Sequence, residues 1–455
     1  MKKILLILLL FCFSGLLNAQ DTEADDVYKS LARKLYDEAI KAENLNNSTE
    51  AIKSLTQAVF LDADFAEAYL KLGELKIKNA MVAGAIDDLS KAITLRPNVK
   101  AFVLRSQAYL LKGDYQNSYN DLVKTLSPAD FSNQDADKKQ IIKDLSLELH
   151  HQAEIDLAGG KADAAFQKYN QIIIIDPSNV DAYFQKGIIS FKKQDYSAAL
   201  VPFERVVDLR PSNEAFYYRG ASRYKLNNLN GAYDDISQAL SGRKNLGIDG
   251  SDKIIKMMAS DLLAQAVAER KNGNFATANQ LLNKSALLNP EVAQVYFEKG
   301  LFDLKKNEYR LAIVNFNKAN DLSASDEVLF YRGLAYLEAN EVKDAFNDLS
   351  KFIKVQPTFI ENREYNRILE KLGSALQNEA LVLQRQSRNE EAIIAYSNLL
   401  QIQPNNAEAY KNRSNIYLNK KEYQKAIDDL DQLVRLQPSN EVYFLRGRCY
   451  LELNN

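Results

Sequence analysis

Tryptophan is absent from the 455 residues, and cysteine and histidine occur only twice each. Cys12 and Cys449 stand too far apart to imply a disulfide framework, so packing must hold the chain. His150 and His151 are neighbours, and on a helix their side chains diverge by about 100°. They cannot easily share an ion, and no His-x-x-x-His or Cys-x-x-Cys spacing occurs, so no metal and no cofactor are expected. Only 17 glycines and 9 prolines are present, which argues against a loop-rich chain and suits long helices with short connectors. An excess of either charge is missing too. With 58 basic and 60 acidic residues the net charge is -2, and nothing in that balance favours a nucleic-acid partner.

Long apolar runs are lacking except at the start. Lys2 and Lys3 precede a mostly apolar stretch from Ile4 to Leu17, and Asn18-Ala19 offers a cleavage end before Gln20. Residues 1–19 therefore read as a signal peptide. The run is shorter than the roughly 20 apolar residues a spanning helix needs. Its removal would leave no membrane span and an exported protein, periplasmic or secreted. Phe11, ahead of Cys12, is not the small residue that a bacterial lipoprotein pattern requires.

What the chain does have is a repeat. From Ala66 onward, Tyr69, Leu72, Gly73, Ala85, Leu89, Ala92 and Pro97 fall at positions 4, 7, 8, 20, 24, 27 and 32. Carrying that template along the chain gives unit starts at 32, 66, 99, 146, 180, 213, 259, 293, 326, 373, 407 and 440. Position 20 is alanine in ten of the eleven complete units, Ser118 being the exception. Seven prolines (Pro97, Pro177, Pro211, Pro290, Pro357, Pro404 and Pro438) then share position 32. Small residues at positions 8 and 20 let two helices approach closely, and proline beyond the second helix cannot continue it. One such pair cannot bury its apolar face alone, so neighbouring units must stack.

The pattern resembles the tetratricopeptide repeat, a helix-turn-helix unit of 34 residues, over nearly all of the chain beyond the signal segment. That resemblance implies an all-α fold, a right-handed superhelical α-solenoid of antiparallel helix pairs. Its inner face would be lined by first-helix positions 2, 5, 9 and 12 and would hold a protein or peptide. Phe184, Tyr217, Phe297, Phe330 and Phe444 at position 5 are candidates to line that face. The alternative is that these rings pack against the next unit, as aromatic stripes often do. Lys411 and Asn415 match the start of a pattern by which some family members grip a C-terminal carboxylate. The next unit has Leu445 where asparagine is needed, so that activity is not carried over.

Above the repeat lies a longer period of three units. Residues 20–145, 146–258, 259–372 and 373–455 form four blocks, with extra segments that lengthen the first helix of each. The fourth is incomplete, since the unit from 440 supplies one helix. Arginine at position 7 coincides with aspartate at position 23 in Arg105/Asp121, Arg219/Asp235, Arg332/Asp348 and Arg413/Asp429, which are expected to be structural ion pairs. Arg446 has no such aspartate within the sequence.

Catalytic motifs are weak. Gly159-Gly160-Lys161 lacks the rest of a phosphate loop and falls in a turn, while doublets such as Asp87-Asp88 point apart on a helix. Pro202, at position 23, is expected to kink its helix. These features lead to a non-enzymatic interaction scaffold of the cell envelope, its oligomeric state left open. The alternative is an architectural subunit of an envelope assembly that docks through its C-terminal end, which an exposed apolar surface on the last helix would favour.

Overall fold

The computed structural model describes residues 21–126, 136–241, 245–356 and 363–453. The signal segment and Pro357 lie outside those residues. Among the described residues 83 % are helical, in 23 helices with no strand. The chain divides into two compact units, residues 1–241 and 242–455. Within each, helical hairpins follow one another and every hairpin packs on the next. No helix among the described residues is long and apolar enough to cross a membrane.

Short signals set the helix ends. The first helix of a unit begins at Val99, Val180, Asn213, Asp326 or Ala407, just after Asn98, Asn179, Ser212, Ser325 or Asn406. Each of those side chains accepts a hydrogen bond from a backbone N–H in the first turn, as at Asn98 Oδ1 to Ala101 N, 2.8 Å. The turn within each hairpin is equally regular. All eleven complete units have a left-handed residue at position 15: Asn46, Ala80, Gly113, Gly160, Gln194, Asn227, Gly273, Asn307, Asn340, Ser387 and Lys421. The N–H of the following residue returns to a carbonyl five residues back, as in Met81 to Lys76 O, 2.8 Å. Such a closure requires positive φ at the turn whatever residue stands there.

The boundaries drawn at 146, 259 and 373 each fall inside one continuous helix, Ala136–Ala158, Ser251–Lys271 and Arg363–Arg385. Residues just upstream therefore belong physically to the block that follows. Ile141, Ile142, Leu145 and Leu149 are buried along one stripe of the first of these helices. Position 8 is where the two helices of a unit meet. A Cβ added at Gly73, Gly187, Gly300 or Gly333 would lie 2.5–2.8 Å from Leu89, Phe203, Phe316 or Leu349. All four of those residues hold position 24. The glycine makes a slot and the opposite helix fills it.

Pro202 does not interrupt its helix, which runs unbroken from Tyr196 to Leu209 with the proline ring buried. It occupies the place where other units carry the paired aspartate. Correspondingly, position 7 of that unit is Lys186, which reaches Asn170 Oδ1 of the previous unit at 2.9 Å.

A candidate partner-binding groove

The four arginine–aspartate pairs are bidentate. Nε and Nη2 of each arginine donate to the two carboxylate oxygens at 2.6–3.0 Å, and every aspartate is buried. In three of them Nη1 also reaches position 25 of the preceding unit: Arg105 to Ser90 (2.9 Å), Arg332 to Asn317 (2.9 Å) and Arg413 to Ser397 (2.7 Å). In the unit from 213 that cross-link is made by Arg223 to Glu204, 3.4 Å. One guanidinium thus ties three helices together, a task suited to a rigid planar fork. The hydrogen bond from Arg332 to Asp348 holds the arginine above its ordinary pKa.

The position-5 rings divide. Tyr217 is 2 % exposed and Phe297 5 % exposed. Phe297 packs on Phe316 of its own second helix at 5.9 Å and on Tyr331 of the next unit at 5.7 Å. Tyr217 and Phe297 are therefore interior residues and present no face to a ligand. Phe184 and Phe330 are half-buried in ring clusters, Phe184 with Phe203 and Tyr218, Phe330 with Phe352 and Tyr365. Phe444 alone of the five stands out, at 69 % exposed. Lys411 is exposed and lies 3.7 Å from Glu441, while Asn415 is half-buried beside it on the same helix. His150 packs edge-on against Tyr169 and lies 3.4 Å from Glu154. No group of three metal-ligating side chains occurs among the described residues.

Equivalent positions on successive first helices differ sharply between blocks. In the first block, Glu43, Lys71, Glu74, Lys78 and Lys100 neutralise one another across three units, at 2.8–3.5 Å. Burial pushes the Glu74 carboxyl upward, but hydrogen bonds from Lys100 and Lys78 and the charge of Lys71 outweigh it and hold the pKa at about 2. That surface is closed on itself.

In the third block the corresponding surface contains a cavity of about 540 Å³. Arg270, Lys271 and Phe275 contribute one wall, Leu301, Phe302, Leu304 and Lys305 a second, and Tyr331 the end. Leu301, Leu304 and Arg270 hold positions 9, 12 and 12, those the repeat pattern assigns to the inner face. Arg270 is engaged by the buried Glu298 (Nε to Oε2, 2.6 Å), which Gln294 also contacts. Lys271 and Lys305 have no carboxylate within 4.0 Å among the described residues. The Lys305 ammonium instead sits 3.6 Å over the Phe275 ring, and Lys306 lies 4.5 Å over Phe302. The cavity joins apolar walls to two cations whose carboxylate valence is unused. An acidic group carried on an apolar chain is its natural complement. The groove depends on Lys271 and Lys305 at position 13 and Phe275 at position 17, which the first-helix pattern of positions 2, 5, 9 and 12 leaves out. A lysine with an aromatic residue four places on, Lys271 and Phe275, was the available signal.

Comparison with known proteins gives the same picture of the repeats. The chain is 23 % identical over 317 residues to human DnaJ homolog subfamily C member 3, covering 60 % of this chain and 63 % of that protein. It thus spans less than two thirds of that relative's length. It is 21 % identical over 448 residues to the TPR repeat-containing protein MJ1428 of Methanocaldococcus jannaschii, covering 86 % of this chain and 72 % of the other. Among solved structures, yeast Tom70 aligns over 93 % of this chain and 96 % of its own, at 14 % identity and a TM-score of 0.24. A tetratricopeptide repeat protein from Parabacteroides merdae aligns over 67 % and 99 %, at 13 % identity and a TM-score of 0.24. Two family models match directly, at residues 327–358 and 378–441, and both are described as tetratricopeptide repeat; these segments of the chain are tetratricopeptide repeats.

Proposed function

We propose that the protein is a non-enzymatic interaction scaffold that holds an acidic, partly apolar segment of a partner protein in the groove of its third block. The observation that carries this reading is the pair Lys271 and Lys305, set among Phe275, Leu301 and Leu304 around an open cavity without carboxylate neighbours. Charge attraction would steer the partner in, and the rings and leucines would hold it. The equivalent face of the first block, already neutralised, offers no such valence. We further propose that the scaffold works after export, on the cell-envelope or outer side. That part rests on the sequence of residues 1–19 alone.

A labelled peptide alternating glutamate and leucine serves as the probe. Saturable binding is expected, with a loss of about tenfold or more in the double variant Lys271→Glu/Lys305→Glu, since two attractive contacts become repulsive. Equal binding by wild type and variant, with unchanged helicity, would remove the groove from the account. Cell fractionation of the native protein tests export, and crosslinked capture from the exported fraction identifies the physiological segment.

A further inference from the structure

The helix Asn440–Leu453 carries the first half of a repeat with the other half's place empty. At Gly447 an added Cβ meets nothing within 4 Å, whereas at Gly333, its equivalent, it would strike Leu349 at 2.7 Å. Phe444 is 69 % exposed, yet Phe330 at the same position is covered by Phe352, 5.1 Å away. Arg446 repeats the arrangement of Arg105 and Arg413. It rests on the ring of Tyr443, 5.5 Å from its centre, and donates through Nη1 to Asp431 of the preceding unit at 2.7 Å. The Nε and Nη2 edge, which elsewhere grips an aspartate, has no hydrogen-bond partner among the described residues.

The other units show what fits such a face. In the three units that pair Arg105, Arg219 and Arg332, the second helix reads Ser118-Tyr119-Asn120-Asp121-Leu122, Ala232-Tyr233-Asp234-Asp235-Ile236 and Ala345-Phe346-Asn347-Asp348-Leu349. Each places a small residue at the close approach, an aromatic beside it, the carboxylate on the arginine fork and a branched apolar side chain in the glycine slot.

We propose that the exposed face of Asn440–Leu453 is a receptor for one amphipathic helix of another polypeptide, marked by the order small, aromatic, any, aspartate, leucine or isoleucine. The incoming aspartate closes on Nε and Nη2 of Arg446, the apolar residue after it enters the slot over Gly447, and a further apolar residue four places after the aspartate covers Phe444. This site is separate from the groove and does not depend on it.

The test uses the full-length protein and a fluorescein-labelled peptide of the sequence Val342–Val355. Saturable anisotropy is expected. The Asp348→Asn peptide, or Arg446→Gln in the protein, should bind about tenfold more weakly through loss of a bidentate charged contact. Gly447→Phe, which fills the slot, should abolish binding, and Phe444→Glu provides a second lesion on the same face. Absent saturation, equal binding of a scrambled peptide, or indifference to both Gly447→Phe and Phe444→Glu overturns the proposal. So does sedimentation showing a dimer that Phe444→Glu converts to monomer, because the occupant would then be a second copy of this chain.

Discussion

The unit beginning at Asp326 and the helix Asn440–Leu453 share a design and differ in completion. Both carry an aromatic at position 5, arginine at position 7, glycine at position 8 and leucine at position 12. In the first, Leu349 fills the glycine slot, Asp348 closes the arginine fork and Leu337 is 5 % exposed; in the second, Leu451 at the matching place is 70 % exposed. Glycine and arginine are therefore requirements only where a second helix lies against them. The same residue can be essential in one unit and nearly idle in another.

The largest way to break that comparison is Asp348→Asn. It strips the charge from a buried carboxylate and leaves Arg332 poorly matched, a class of lesion that costs about 3 kcal/mol or more; urea unfolding should show that loss. Arg446→Gln, by contrast, should stay within about 1 kcal/mol of wild type, because its partner Asp431 is partly solvated. Next in size is Gly333→Ala, whose methyl group must displace Leu349 and should destabilise by about 1–2 kcal/mol. Gly447→Ala should move the other way and raise stability by up to about 1 kcal/mol, since only the helical penalty of glycine is removed. If both alanine variants shift the midpoint in the same direction, the contrast between filled and empty slots is wrong.

A similar gain of about 0.5–1 kcal/mol is expected from Ala80→Gly, as position 15 holds alanine at φ 59°. Gly113 already occupies that conformation, and Gly113→Ala should lose a comparable amount. The smallest effect separates the first block from the third. Glu74 has a folded pKa of about 2, below its unfolded value, so its contribution is complete above the usual glutamate range and fades as pH falls towards 2. Glu74→Gln should flatten the stability profile in that acid window, whereas Lys271→Gln in the third block should leave it unaltered.

Sequence spacing reveals those parts of the molecule whose chemistry recurs at fixed positions. Arg105 and Asp121, sixteen residues apart, could be paired because both residue types return in unit after unit. The hairpin starts at Ala66, Val99 and Val180 were likewise legible from alanine and proline punctuation. The turn at position 15 was not, because Ala80, Gln194, Ser387 and Lys421 adopt the same left-handed geometry as Gly113 without sharing its chemistry. Closure of the turn dictates that backbone, and residue identity only modulates its cost. Tyr217 and Phe297 fit an inner-face pattern yet lie in the interior. Periodicity fixes the direction of a ring but not whether an aromatic such as Tyr331 in the next unit will cover it. The groove was hidden for a related reason. Its walls come from two hairpins and the start of a third, and Lys271 becomes available only through the absence of an acidic neighbour in space.

The threefold grip of Arg105, Arg332 and Arg413 has a bearing on how such a stack comes apart. Each guanidinium holds its own hairpin shut and fastens that hairpin to the one before it, so melting a neighbour strips away part of the hydrogen bonding that orders the clamp. Fraying that begins at an end should thus advance freely through unclamped hairpins and stall at the clamped ones. Amide hydrogens would then exchange in steps, with the plateaus marking these arginines rather than the ends of single helices.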